Sequence, residues 1–303
     1  MTQPVTILLS TFNGEKYLAE QLASIVAQRF ANWQILWRDD GSSDNTVVLM
    51  RSFADQIGHD RVVEHSDSGH HYGAAPSFLC LLRAAAHNPI IAFADQDDVW
   101  LPDKLTKAVR QIKAAGEVPA LYCARQFLVD QHLRGHRLSA LHVDKGFPAC
   151  LVQNIANGNT LVMNKAAASM VAAVPAPQAT VHDWWSYIVV SACGGRVIFD
   201  PEPQVLYRLH KENLIGRAQP VRERAWAAIK RGPYVFMTTM RRHAQALDAT
   251  CLPLTPAARA DLNLVEQALR GSVTHRVGAL RCPRFKRNSR LENILFRFWF
   301  MTG

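Results

Sequence analysis

The 303-residue sequence lacks long apolar runs, paired cysteines and internal repeats. No apolar stretch reaches the ~18 residues that a membrane-spanning helix requires, and the N-terminus has neither the basic nor the apolar region of a signal peptide. The six cysteines are scattered without a CxxC pair, which argues against a zinc site and against a disulfide framework. We therefore expect a cytoplasmic protein with free thiols, attached at most peripherally to the inner face of the cytoplasmic membrane.

Acidic residues are scarce at one end of the chain. Residues 217–303 contain 16 Lys and Arg but only 5 Asp and Glu, a net charge of +11, whereas the whole chain carries +9. This asymmetry indicates that the C-terminal region faces a polyanion, either an anionic membrane surface or an acidic glycan. No nucleic-acid-binding motif accompanies the charge, so we expect no nucleic-acid partner.

Short apolar segments alternate with segments of helical periodicity through the first 125 residues. Strands are predicted at Val5–Ser10, Gln34–Arg38 and Ile90–Ala94, with helices between them. This order predicts βαβ units, and hence an α/β fold with a mainly parallel sheet flanked by helices. Farther along, we predict strands at Ala120–Val129, Asn157–Asn164, Arg196–Phe199 and Gln204–Leu209, and a helix from His182 to Ala192.

Three polar loops follow predicted strand ends, at Thr11–Glu15, Asp39–Ser43 and Asp95–Asp98. Ligands bind at the carboxyl ends of parallel strands, so we expect these loops to meet in one crevice. Three carboxylates in four residues repel one another unless they share a cation or a proton. Mg²⁺ or Mn²⁺ would satisfy them, although a solvated acidic turn before the next helix is an alternative.

The residues of these loops resemble a known family. Leu9–Glu15, Arg38–Thr46 and Phe93–Leu105 are similar, in order and spacing, to the nucleotide-sugar half of family 2 glycosyltransferases. Asn157–Thr160, His182–Trp185 and Tyr207–Gly216 resemble the bacterial rhamnosyltransferase-like branch. That branch transfers L-rhamnose from dTDP-L-rhamnose during the synthesis of lipopolysaccharide and other surface polysaccharides. The resemblance implies a GT-A (Rossmann-like) fold, a nucleotide-sugar donor, a glycan or lipid-linked glycan acceptor, and Mg²⁺ or Mn²⁺ as cofactor.

The resemblance also implies donor-side roles for particular residues. Asp40 would read the pyrimidine base, and Asp95 would lie near the ribose. Arg208 would contact the diphosphate, while Asp97 would be the main metal ligand, with His210 completing the site. A structural role for His210 is the alternative. The remaining donor-site residues implied by the resemblance are Thr11, Asn13, Glu15 and Gln96.

On the acceptor side, the resemblance makes Asp183 the general base. It would take the proton of an acceptor hydroxyl as that oxygen attacks the anomeric carbon, so that one displacement inverts the configuration. Asp98, Trp184 and Trp185 would shape the sugar and acceptor pockets. The alternatives are a helix-terminal carboxylate at Asp183 and core packing for the two tryptophans.

Some positions depart from the family pattern. His71 stands where the family usually has asparagine, and Asn157 and Asn159 replace the residues common around their turn. These changes bear on the choice of donor and acceptor. They do not bear on the chemistry. The alternative functions are a UDP-hexose transferase and a non-catalytic nucleotide-sugar-binding protein.

The predicted domain organisation follows from the extent of the resemblance. Residues 1–216 would form the catalytic domain, with a nucleotide-binding half at 1–115 and an acceptor-binding half at 116–216, and residues 217–303 a basic helical extension. Near the C-terminus, five apolar residues fall on one helical face. Such a face suits either an anionic membrane surface or packing on the domain. They are Leu291, Ile294, Leu295, Phe298 and Trp299.

Overall fold

The structure, a computed structural model, describes residues 3–210 and 221–303, with side chains described for residues 3–210 and 232–303. The part of the Tyr207–Gly216 motif beyond His210 therefore lies outside the described residues. Nine strands form one sheet. They are β1 (Val5–Thr11), β2 (Trp33–Asp39), β3 (Val62–Glu64), β4 (Ile90–Ala94), β5 (Val99–Trp100), β6 (Ala120–Val129), β7 (Arg137–Leu138), β8 (Val162–Asn164) and β9 (Arg196–Arg208).

The helices of the described chain lie on both faces of this sheet. They are α1 (Glu15–Val26), α2 (Thr46–Ile57), α3 (Ala74–Ala85), α4 (Lys104–Ala114), α5 (Lys165–Ala172), α6 (His182–Ala192), α7 (Val221–Asp248), α8 (Pro256–Arg270), α9 (Val273–Leu280) and α10 (Arg290–Thr302). Helix α7 is kinked at Gly232, which precedes Pro233. None of these helices combines the length and apolarity that crossing a membrane would require.

The strand order is β3-β2-β1-β4-β8-β6-β9-β5, with β7 paired to β6. Strands β1 to β4 are parallel, and β8 joins β4 and β6 in antiparallel fashion. Alternation along β1 separates two cores: Ile7 and Leu9 pack with α1, α2 and α4, whereas Leu8 faces α3, α5 and α6. The predicted α/β fold with a mainly parallel sheet is confirmed.

Two predicted strand assignments are wrong in detail. Residues 157–164 form a 3₁₀ turn, Gly158–Thr160, followed by the short β8. The two late strands are one strand, β9, because the register shifts opposite Arg125 accommodate Pro201 and Pro203 without ending the pairing with β6.

The C-terminal helices complete the core on the α6 side of the sheet. Met240, Leu262 and Phe285 are buried in the same cluster as Trp185 of α6. The predicted single apolar face of α10 is wrong for Trp299, which is buried against the protein, whereas Leu291, Ile294 and Phe298 are exposed. The sequence could not show which side of α10 is buried, because this helix carries apolar residues on opposite sides.

Candidate active site

The loops after β1, β2 and β4 meet at one edge of the sheet, as predicted. Thr11 is in register with Asp39, and Leu9 with Ala94. The Gln96 side chain ties two of the loops together, since it accepts from Phe12 N–H and donates to Phe12 C=O, both at 2.8 Å. A Cβ at position 14 would lie 2.3 Å from Gln96 Oε1, so this bridge requires glycine there. Gln96 therefore holds the crevice together.

Three of the predicted nucleoside-site residues organise the loop after β2. The Thr11 hydroxyl donates to Asp39 Oδ1 at 3.0 Å, and Asn13 Oδ1 accepts from Ser43 N–H at 2.8 Å. Glu15 accepts from the Asn45 side chain at 2.7 Å. These contacts fix the loop before any ligand arrives, which reduces the ordering cost of binding.

Asp40 is buried beneath a second loop, at residues 70–73. Its Oδ1 accepts from Arg38 at 2.6 Å and from Tyr72 N–H at 2.7 Å, and its Oδ2 accepts from Gly73 N–H at 2.7 Å. The exposed ring of His71 lies over this carboxylate, with its centroid 5.0 Å from that of Phe12. The Asp40 side chain is only 3% exposed, and its contact with a pyrimidine stays a prediction.

Asp95, Asp97 and Asp98 form the acidic cluster, in which one oxygen of each lies within 4.8 Å of the others. Burial, together with repulsion from neighbouring carboxylates, raises the pKa of Asp95 and of Asp98. His210 Nε2 lies 2.8 Å from Asp97 Oδ2. An all-carboxylate oxygen set fits a hard divalent cation, which would relieve the repulsion. The residues present therefore fit Mg²⁺ or Mn²⁺, with His210 beside the ligands.

Arg208, the predicted diphosphate contact, is buried beside the acidic loop. Its side chain is 1% exposed, and its guanidinium donates to Asp97 C=O at 2.8 Å, to Gln131 C=O at 2.6 Å and to the Glu20 carboxylate. In this geometry Arg208 holds the acidic loop through Asp97 C=O, and its contact with a diphosphate stays a prediction. The predicted pocket residue Asp98 is likewise fully buried.

Asp183, the predicted base, lies in the first turn of α6. Its Oδ2 accepts from Gly158 N–H at 2.8 Å, and its Oδ1 accepts from Asn154 Nδ2 at 3.1 Å and from Trp184 N–H. Burial raises the pKa of Asp183 to about 6, even though these hydrogen bonds favour the charged form. A carboxylate with a pKa near neutrality is suited to accept and release a proton.

One short turn, at residues 157–160, joins Asp183 to the acidic cluster. Gly158 donates its N–H to Asp183, and the next residue, Asn159, donates Nδ2 to Asp98 Oδ2 at 2.7 Å. The negative charge of Asp183 also raises the pKa of Asp95, so the two carboxylates interact electrostatically. The sequence analysis identified Asn159 only as a departure from the family pattern. The hydrogen bonds from Asn159 to Asp98 and from Asn154 to Asp183 could not be predicted from sequence spacing.

The two tryptophans after Asp183 have different environments. Trp185 is fully buried and packs in the core, which agrees with the alternative of core packing for this residue. Trp184 is partly exposed, and its Nε1 donates to Cys150 C=O at 2.7 Å. The ring of His243, from α7, packs edge-on against Trp184 at 4.7 Å. Trp184 thus remains the candidate for the acceptor side.

Replacing Gly158 with alanine is expected to lower kcat about 100-fold, because small misplacements of a reacting group are costly. The added Cβ would lie 2.8 Å from His182 Nε2 and 3.4 Å from Asp183 Oδ2. His182 cannot easily yield, since its ring packs against Phe78 and Phe93. Steady-state kinetics would measure the effect. Gly278→Ala, where the added methyl meets open space, is the matched control, and a kcat within twofold of it would contradict the expectation.

Comparisons with known proteins agree with this geometry. The model of the family "Glycosyl transferase family 2" matches residues 6–155. The dTDP-rhamnosyl transferase RfbG of Shigella flexneri is 27% identical over 222 residues, covering 69% of this chain and 73% of that protein.

Two solved structures share the fold. Staphylococcus aureus TarS 1–349 in complex with UDP-GlcNAc superposes with a TM-score of 0.62 at 15% identity, over 88% of this chain and 72% of that one. The mannosyltransferase PcManGT of Pyrobaculum calidifontis, in complex with GDP-Man and Mn²⁺, gives 0.55 at 17% identity, over 99% and 86%. The chain therefore contains a family 2 glycosyltransferase domain at residues 6–155 and has the GT-A fold of these structures.

Proposed function

We propose that this protein is an inverting, metal-dependent glycosyltransferase that moves L-rhamnose from dTDP-L-rhamnose to a lipopolysaccharide or other surface-glycan acceptor. The observation that carries the proposal is the 157–160 turn, which holds a partly buried carboxylate of raised pKa, Asp183, beside the acidic cluster. A base on one side and a cation site on the other are what a single displacement at an anomeric carbon requires.

In the proposed reaction, Asp183 accepts the proton of the acceptor hydroxyl while that oxygen forms a bond to the anomeric carbon and the nucleoside diphosphate departs. Gly158 and Asn154 hold the carboxylate in place for this transfer. Asp95, Asp97 and Asp98 would hold the cation, which when bound offsets the charge on the departing diphosphate. Arg208 keeps their loop in place through Asp97 C=O.

The choice of rhamnose rests on the relative from Shigella, which is 27% identical and covers 69% of this chain. A UDP-hexose donor is the second candidate, since the structural neighbour TarS was solved with UDP-GlcNAc. In this proposal residues 1–115 bind the donor, residues 116–216 bind the acceptor, and residues 217–303 form a basic extension.

A donor panel tests the proposal. The full chain is mixed with dTDP-L-rhamnose, UDP-glucose, UDP-GlcNAc or GDP-mannose, with Mn²⁺ or with EDTA, and released nucleoside diphosphate is measured alongside calorimetric binding. Release from dTDP-L-rhamnose, abolished by EDTA, is the expected result. Release from a UDP-sugar instead would keep the family and overturn the rhamnosyl assignment. Binding without release in the presence of acceptor glycans would favour a non-catalytic protein.

A further inference from the structure

Helix α10 presents apolar side chains on opposite sides. On its inner side, Phe296 and Phe300 are buried, and the Phe236 ring of α7 lies 5.9 Å from Phe296. On its outer side, Leu291, Ile294 and Phe298 are 76%, 65% and 61% exposed. The i, i+3, i+7 spacing of these three residues aligns them along the helix. We refer to Leu291, Ile294 and Phe298 as the outer stripe.

Further apolar surface lies near the end of the same helix. A Cβ built on Gly303 would lie 3.2 Å from Pro233 Cβ, so the start of the second segment of α7 adjoins the chain end. Tyr234 and Val235, which follow Pro233, are exposed. Single exposed apolar residues are ordinary, but several together on adjoining elements mark a surface that contacts something else.

The surroundings of the outer stripe are strongly basic. Residues 281–303 contain six Lys and Arg and one acidic residue, Glu292. Arg281, Lys286 and Arg290 are exposed, and Arg290 directly precedes the stripe. A row of aliphatic and aromatic side chains in a basic segment, with an exposed arginine directly before it, matches an anionic bilayer, whose interior accepts the apolar groups and whose phosphates attract the cations.

We propose that the outer stripe docks this protein on an anionic phospholipid surface, with Leu291, Ile294 and Phe298 entering the boundary between headgroups and acyl chains. A symmetric pair of copies fits less well, since the same basic residues would face each other. Three side chains also provide far less than the ~800 Å² per partner of a standard protein interface.

The docked surface adjoins the acceptor side of the active site. Asn288, just before α10, donates its N–H to Gln153 Oε1 at 2.6 Å. The next residue after Gln153, Asn154, donates to Asp183. Two hydrogen bonds, joined through the neighbouring residues Gln153 and Asn154, therefore connect the start of α10 with the proposed base.

Vesicle sedimentation of the full chain tests this proposal without any sugar substrate, so its outcome is independent of the donor panel. Vesicles of phosphatidylcholine alone are compared with vesicles that also contain phosphatidylglycerol. We expect binding to the anionic vesicles, weakened by high salt. The triple variant Leu291→Ser, Ile294→Ser, Phe298→Ser should lose at least about tenfold in partition, because each substitution removes inserted apolar area.

The matched control replaces three exposed apolar residues elsewhere, Val48, Val118 and Leu141, with serine. It should bind as the unmodified chain does, and thermal melting of both variants checks folding. A second variant, Arg281→Gln with Arg290→Gln, should weaken binding about fivefold per charge. Equal binding by the stripe and control variants would overturn the proposal. So would an absence of vesicle binding combined with a dimer that the stripe substitutions convert to a monomer.

Discussion

Asp183→Asn is expected to lower kcat about 10²- to 10⁴-fold, the range typical of removing a general base, while the Kd of the donor changes less than about twofold. The physical reason is that the amide preserves the shape of the side chain but cannot accept the acceptor proton. Asp183 does not belong to the acidic cluster that would hold the cation and diphosphate. Kinetics with saturating Mn²⁺, together with donor titration by calorimetry, would measure both quantities.

Asp55→Asn is the matched control, since this carboxylate on α2 is 71% exposed and pairs with His59. It should retain full activity. Turnover by Asp183→Asn comparable to that of Asp55→Asn would remove Asp183 as the base. A large rise in donor Kd would instead show that Asp183 supports the donor site.

The pH dependence of the unmodified protein should reveal the same group. Burial raises the pKa of Asp183 to about 6, so its carboxylate form, the active one, is lost as the pH falls through that value. We expect kcat/KM to be constant above about pH 7 and about tenfold lower at pH 5. The residual activity of Asp183→Asn should lack this acidic limb; if it retains the limb, another group is responsible.

Asp97→Asn is expected to lower kcat about 10³-fold, because a bound divalent cation stabilises the leaving diphosphate by several kcal/mol. Unlike Asp183→Asn, this change should also weaken the binding of Mn²⁺ itself. Asp97 belongs to the acidic cluster with Asp95 and Asp98, so the substitution would remove one of the proposed metal ligands. It would also remove the negative charge of the carboxylate that contacts His210.

Mn²⁺ titration by electron paramagnetic resonance would provide a readout that does not depend on turnover. Asp103→Asn is the control: this nearby carboxylate pairs with Arg29 and is 38% exposed. Unchanged Mn²⁺ affinity in Asp97→Asn would contradict the assignment of Asp97 as the main ligand.

The donor side of the crevice could be predicted because it follows from strand order. Apolar periodicity located β1, β2 and β4, and parallel pairing brings their carboxyl ends together wherever the chain goes afterwards. The acidic cluster was predictable for the same reason, since its residues directly follow β4. These inferences need only local patterns and one rule of topology.

The remaining details depend on contacts between distant residues. The sequence predicted Arg208 as a ligand contact, and its hydrogen bonds to Asp97, Gln131 and Glu20 could not be read from spacing. Trp185 and Trp184 are adjacent in sequence, yet one is core and the other is partly exposed. Spacing along a helix gives the angle between two side chains, but it does not show whether each side chain faces solvent or the protein core.

The turn at residues 157–160 also has a consequence for how such a protein can diversify. The family match ends at residue 155, just before Gly158 and Asn159, whose bonds reach Asp183 and Asp98. In the proposed function, the loops after β1, β2 and β4 bind the donor and precede this turn, whereas Asp183, the proposed base, comes after it. New acceptors could therefore be acquired by altering later segments while the inherited donor chemistry stays intact, provided that these two adjacent residues keep both bonds. The turn is the junction that such variation must leave unchanged.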